Sequence, residues 1–284
     1  MTGSGSWEGR TATELAAHWG VPLVEAYPSI GSTNDRAAEL ARVGTPRGTV
    51  IVAEEQTAGR GRRGARWQSA PGAGLWMSVI LGPGEATPAL PLLVGLACAE
   101  GIEAGLGWSP GSEPTPPLVR VKWPNDLFVH DRKVGGILCE AGPHGVVVGI
   151  GINVRAPAGG FDDALAESAT ALEVEAGKVL LRSDIAREVL RRVLSRVGDG
   201  RGWAGARPVF AERDALCGRA VVTESAGAGV AVGVDAVGAL VLERSDGSRV
   251  PVTSGSVRLA GDVANRHHAA ADGPGERGRP NRGG

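Results

Sequence analysis

The chain has 284 residues, 42% hydrophobic and 21% charged, with 30 Lys plus Arg against 31 Asp plus Glu. That is the balance of an ordinary globule with room for one large domain and a small one, and it excludes a nucleic-acid or membrane-surface role resting on global charge. Cys98, Cys139 and Cys217 are far apart and odd in number, against a disulfide framework or zinc site, and no run approaches a leader or a membrane span, so the cytoplasm is expected.

Thr11 and Glu14 form a capping-box pattern that predicts a short helix to Trp19, and residues 23–27 read as a strand. Ser32 is placed to cap a helix over 33–42 that Gly44 stops. A β-branched strand at 49–53 leads into a long turn-rich loop, 56–74, before the next strand at 75–81. Residues 91–106 have the length and spacing of a buried helix, and 110–117 are a loop. Short apolar runs at 119–122, 127–130, 134–140 and 146–154, separated by turns, predict an antiparallel meander. Residues 183–197 are a capped amphipathic helix with its arginines outward. Strands and helices are segregated, so the fold class is α+β. After Gly218, five short strands at 220–224, 230–235, 239–243, 249–252 and 257–259 carry the signature of a small barrel. The expected organisation is an N-terminal segment 1–22, a main domain 23–215, a barrel 216–262 and a disordered tail 263–284.

The loop reads Gln-Thr-Ala-Gly-Arg-Gly-Arg-Arg-Gly-Ala-Arg-Trp from Gln56 to Trp67. Four arginines in seven residues repel one another, so order there makes sense around an anion, with the glycines allowing close backbone approach. A solvated basic turn or an RNA phosphate patch is the competing reading. Gly59-x-Gly61-x-x-Gly64 also mimics a dinucleotide fingerprint, but Ala65–Gly74 contains Pro and Gly and cannot be the helix that motif must open. The chain writes its positive charge as 27 arginines and only three lysines; two of these, Lys122 and Lys133, flank Trp123-Pro124-Asn125-Asp126, where compact ammonium groups could serve a site. Asn125 and Asp126 bind polar groups or simply cap a turn. Gly149 and Gly151 interrupt a strong strand, marking a close approach or a bulge. Ser32-Thr33-Asn34 at a helix start offer hydroxyls and free N–H groups, or plain capping.

Taken in order, Ser-Thr-Asn, Gln-x-x-Gly-Arg-Gly-Arg-Arg-Gly-x-x-Trp, Lys-Trp-Pro-Asn-Asp, Arg-Lys-x-x-Gly-Ile-Leu-x-Glu and Gly-x-Gly-Ile-Asn-Val resemble the biotin protein ligases. The resemblance runs from about residue 27 to 259. It implies a mixed β-sheet flanked by helices, related to class II aminoacyl-tRNA synthetases, with a C-terminal SH3-like barrel. It implies that biotin is activated by Mg-ATP to biotinyl-5′-AMP and passed to a lysine of a biotin carboxyl carrier domain. Biotin would lie against Ser32, Thr33, Asn34, Gln56, Gly59, Arg60, Gly61, Arg62, Lys133, Gly149 and Gly151. Arg60, Arg62, Arg63, Arg66, Trp67, Lys122, Asn125, Asp126 and Asn153 would hold the nucleotide, with Lys133, Arg62 and Asp126 catalytic; metal ligands are not indicated. The family pattern places an arginine two residues before the tryptophan, where this chain has Ala65, with Arg66 one position later. Little chain precedes Ser32, so sequence-specific DNA binding is not expected; a monomer or weak homodimer without membrane attachment is expected. A lipoate or octanoate ligase or transferase is the nearest alternative within the superfamily.

Overall fold

Gly74–Leu81 is an apolar run with one serine, and it is buried along its whole length because it lies inside a seven-stranded sheet covered on both faces. The computed structural model describes residues 5–108, 118–163 and 165–260; the predicted loop 110–117 and tail 263–284 lie outside the described residues. In chain order the elements are β1 Ser6–Trp7, β2 Arg10–Thr11, α1 Ala12–Trp19, β3 Val24–Tyr27, α2 Thr33–Arg42, β4 Val50–Ala53, β5 Gly74–Leu81, α3 Leu90–Leu106, β6 Val119–Lys122, β7 Asp126–Val129, β8 Arg132–Gly142 and β9 Gly145–Asn153. They continue with α4 Leu172–Ala176, α5 Arg182–Gly198, α6 Gly202–Ala211, β10 Ala220–Thr223, β11 Gly227–Val234, β12 Leu240–Glu243, β13 Arg249–Val252 and β14 Val257–Leu259.

The large sheet runs β3-β4-β5-β9-β8-β7-β6. β3 and β4 are parallel and the other pairs antiparallel, so the sheet is mixed and the predicted meander of β6 to β9 is present. α3 and α5 pack together on one face. Glycines set their separation: a Cβ on Gly101 would lie 2.6 Å from the Val189 backbone and one on Gly105 2.7 Å from Ile185. α2 covers the other face through Ala37, Leu40 and Ala41 against Ile51, Ile80 and Val147. Glu103 would be costly inside α3, but Arg213 donates to both its oxygens at 2.7 and 2.8 Å. The last five strands form a separate antiparallel sheet, order β13-β12-β11-β10-β14, of SH3-like type. Trp123 Nε1 ties it to the first sheet by donating to the Gly238 carbonyl at 3.0 Å.

Two expectations about helix starts need correction. Ser32 occupies the N-cap of α2, but its side chain makes no capping bond; Gln56 Oε1 accepts the Thr33 N–H instead, at 2.9 Å. α5 begins one residue before the expected position, at the buried Arg182, and its first amides are capped by the remote carboxylate of Glu8. α4 and α6 were not expected.

The three cysteines are free. Burial raises the Cys98 thiol far above its ordinary range, and burial together with Glu140 pushes Cys139 up to about 12, whereas Cys217 is exposed. Because the thiolate is the reactive form, one thiol per chain is expected to react with a disulfide reagent at neutral pH in the native protein, and three in denaturant. Rapid reaction of two native thiols would contradict this packing.

Candidate active site

The loop after β4 folds back on itself. Gly61 N–H donates to the Ala65 carbonyl at 2.7 Å and Trp67 N–H to the Gly59 carbonyl at 3.0 Å, so Arg60 and Arg66 pair across a narrow hairpin. Its tip, Arg62–Gly64, is a single 3₁₀ turn with Arg63 at φ 58°. The glycine pattern therefore opens a hairpin and not a helix, which removes the dinucleotide reading. The hairpin lies over the sheet and roofs a cleft of about 270 Å³.

At one end of the cleft a polar chain is buried under the loop. Ser78 Oγ, fully buried in β5, lies 2.7 Å from Thr33 Oγ1 and donates to Asn34 Oδ1 at 2.5 Å. Asn34 Nδ2 donates to Glu140 at 2.6 Å, Thr33 Oγ1 donates to Gln56 Oε1 at 3.0 Å, and Gln56 Nε2 donates to Ser69 at 3.1 Å. Outside this chain Arg60 makes a bidentate pair with Asp35 at 2.6 and 2.7 Å and approaches Glu140 to 3.6 Å. Hydrogen bonds from Arg60 hold the Asp35 carboxyl below its ordinary range.

The floor is aromatic. A Cβ on Gly149 would lie 2.4 Å from Asn34 Oδ1, and one on Gly151 2.7 Å from the Trp67 indole. The close approach marked by these glycines is thus made by side chains of this chain. Trp67 meets Trp76 edge-on at 6.3 Å, and its buried Nε1 has no hydrogen-bond acceptor among the described residues, an arrangement that costs about 1–3 kcal/mol.

At the centre Lys133 Nζ lies 2.6 Å from Asp126 Oδ1 and 5.2 Å from the Trp67 ring centroid. A β-bulge aims it there. Leu127 pairs with Gly135, but the next residue, Phe128, pairs with Lys133. The extra residue, Val134, turns into the core. Lys133 and Gly136, an odd number of residues apart, consequently share the cleft face. Backbone bonds to Ser168 and Thr170 pin Lys133 from the other side.

The far end is built by the cis Trp123–Pro124 turn and by the C-terminal sheet. Asn125 Nδ2 donates to the Ile137 carbonyl at 2.7 Å, while Arg62 Nη1 reaches Asn125 Oδ1 and the Gly255 carbonyl, both at 3.4 Å. Burial pulls Arg62 below the usual arginine range, outweighing the opposing pull of the Asp126 carboxylate. Lys122 lies 5.1 Å over the Phe128 ring. Arg63 is 61% exposed and donates to Glu224 at 2.6 Å. Arg66 and Trp67 also line the cleft.

Of the expected site residues, two stand apart from the cleft wall. Asn153 is buried and donates to the Thr170 carbonyl, and Gly59 forms a tight bend whose Cβ would lie 2.8 Å from the Trp67 carbonyl. Four contributors were not expected. Ser78 had a signal, as the only polar side chain in an apolar strand, and Asp35 sat beside Ser-Thr-Asn. Gly136 stood in the Arg-Lys-x-x-Gly-Ile-Leu-x-Glu motif without a role of its own, and the Gly255–Val257 segment had no signal, because only the tertiary fold brings it in. The walls hold six cationic side chains (Arg60, Arg62, Arg63, Arg66, Lys122, Lys133) and the carboxylate of Asp126, a field that favours a polyanion next to a neutral polar pocket.

Residues 26–155 match the biotin/lipoate A/B protein ligase family, and residues 217–259 match the biotin protein ligase C-terminal domain. The bifunctional ligase/repressor BirA of Bacillus subtilis is 35% identical over 231 residues, covering 77% of this chain and 68% of that protein. The biotin--[acetyl-CoA-carboxylase] ligase of Mycobacterium tuberculosis is 34% identical over 257 residues, 86% of this chain and 91% of that protein. Among solved structures, the biotin protein ligase of Aquifex aeolicus in complex with biotin and ATP superposes with a TM-score of 0.72 at 28% identity, covering 84% of this chain and 99% of that one. With both its segments matched in order around a cleft of this geometry, the chain belongs to the biotin protein ligase family.

Proposed function

We propose that this chain activates biotin with ATP and transfers it to a lysine of a biotin carboxyl carrier domain. The observation that carries the reading is the cleft itself: a buried amide and hydroxyl pocket around Thr33, Asn34 and Gln56 joined to an arginine-lined end through Lys133. The first suits a ureido ring and the second a triphosphate. In the first step a carboxylate oxygen of biotin attacks the α-phosphorus, and the bond to pyrophosphate breaks. In the second, the acceptor amine attacks the acyl carbon, AMP leaves, and the amine proton passes to solvent or to Asp126.

Such a reaction depends on positioning and on neutralising charge that develops on phosphate oxygens. Lys133 serves as the point charge between carboxylate and α-phosphate, and Asp126 fixes its ammonium. Arg62 covers the adenylate, with Arg63, Arg66, Lys122 and Asn125 at the phosphates and nucleoside. Mg²⁺ would come with the nucleotide as part of the substrate; Asp126, a carboxylate on the cleft wall, would be available to hold it, and Mg²⁺ characteristically takes most of its ligands from phosphate and water. The free cysteines suit a reducing compartment, which supports a cytoplasmic setting for the reaction. The N-terminal sheet alone would also suit lipoate; the biotin-type C-terminal segment favours biotin.

Incubation with biotin, Mg-ATP and a carrier domain is expected to yield biotinylated carrier, and Arg62→Gly to release free biotinyl-AMP instead of retaining it. Acid-dependent pyrophosphate exchange with lipoate and none with biotin would refute the reading. The released intermediate should rise at least about tenfold, as for a loop that normally excludes water.

A further inference from the structure

The loop that carries Gln56, Arg60, Arg62 and Trp67 leaves the sheet at Glu54 and rejoins it at Gly74. The β4–β5 ladder ends at Ala53 and Trp76. Beyond that pair the strands diverge, and a single buried guanidinium spans the gap. Arg182, 3% exposed at the first position of α5, donates from Nη1 to Glu54 Oε2 at 2.7 Å and to the Gly74 carbonyl at 3.2 Å, and from Nη2 to Glu54 Oε1 at 3.0 Å. Its Nε donates to Glu8 at 3.3 Å, and it stacks 4.5 Å from the centre of the Trp7 ring.

Arg155 adds a second hold, donating to the Gly72 carbonyl at 3.5 Å from its side chain and to the Ala73 carbonyl at 2.7 Å from its backbone. Burial alone would push Glu54 up, yet the hydrogen bonds from Arg182 hold its carboxyl below the ordinary range, so the pair stays charged at neutral pH. A planar fork satisfies two carboxylate oxygens and a carbonyl at once, which an ammonium would do less well.

We infer that Arg182 is a positioning residue for the reaction: with Glu54 it closes the neck of the loop and so holds Gln56, Arg60 and Trp67 in the cleft. The kinetic consequence rests on the ligase reading, but the neck can be tested apart from it. Without the clamp the loop samples open states, and apparent affinity falls in proportion to the closed fraction. Removing one partner alone strands a buried charge, whereas replacing both by apolar groups of similar size is often tolerated. Arg182→Met combined with Glu54→Leu is therefore the informative variant; Glu8 keeps the α5 amides and its contact with Arg155 at 3.9 Å.

In the full-length double variant, tryptic cleavage at Arg60, Arg62, Arg63 and Arg66 under native conditions is expected to quicken about tenfold. Biotin KM should rise about tenfold with kcat changed less than about twofold, with only a small fall in melting temperature, since the Glu8 N–H loses Glu54 Oε1 as its acceptor. Unchanged loop cleavage and unchanged KM would overturn the inference, as would changes that only parallel cleavage at Arg219 in the other sheet and so report global unfolding. Should the double variant fail to fold, Arg182→Lys, which keeps the positive charge beside Glu54 and Glu8 but not the planar fork, carries the same expectations with smaller changes in the same two readouts. A wild-type protein inactive with biotin and ATP would sink the ligase reading and leave the proteolysis result standing.

Discussion

Replacing Lys133 with alanine is expected to cut biotin-dependent exchange of pyrophosphate into ATP by about 10²- to 10³-fold, the usual loss when one well-placed donor to a developing oxyanion is removed. The fold should tolerate the change. Lys133 contributes backbone bonds to Ser168 and Thr170 that alanine retains, and the partner it leaves, Asp126, is 22% exposed and can take up water. Lys133→Arg is expected to recover little, because a guanidinium would engage Asp126 as a planar fork rather than act as a mobile point charge. Lys178 provides the control. Its Nζ donates to the Leu106 carbonyl away from the cleft, so Lys178→Ala should leave exchange unchanged. Near-normal exchange by Lys133→Ala would remove this lysine from the chemistry.

The position of Lys133 shows where sequence reading reaches and where it stops. Its place at the start of a strand beside a Gly-Gly pair is visible in the chain. The bulge that turns it toward Asp126 is not, since it exists only relative to the register of β7. The same division runs through the fold. β5 and α3 were legible because burial leaves long apolar runs, and α1 because Thr11 and Glu14 cap it reciprocally. α6 was not, because Gly202, Gly205 and Pro208 all oppose a helix; it persists because Trp203 and Phe210 pack edge-on at 5.1 Å and Trp203 Nε1 donates to the Asp235 carbonyl. Tertiary packing overrides local propensity there.

For the site, ordered motifs sufficed to assemble most of the cleft wall, since the start of α2, the hairpin loop and the strands of one sheet carry them to the same cleft. Partners distant in sequence remained hidden. Arg63, read as a phosphate ligand, also pairs with Glu224, and Arg182, one residue before the expected helix, is buried against Glu54. Both involve carboxylates whose relevance depends on which strands become neighbours.

The second large effect is expected at Gly151, where Gly151→Val should lower biotin-dependent exchange by about 10- to 100-fold, matching the 1–3 kcal/mol typical of overpacking. Gly151 pairs with Trp76 on one side and Gly136 on the other, so its backbone is fixed by two ladders. The added Cβ would fall 2.7 Å from the Trp67 ring, and the indole, on the loop, is the part able to move. Displacing it removes the aromatic face beside Lys133 and the edge contact with Trp76, so tryptophan fluorescence should change along with activity. Gly142→Ala, at the far end of the β8–β9 hairpin with its nearest neighbour 3.9 Å from the new Cβ, should change neither. If Gly151→Val kept wild-type exchange and fluorescence, Trp67 would not be the floor against which substrate is held. Glycine is required at 151 because the cleft needs a wide ring at that point of the sheet, and no side chain can share the space.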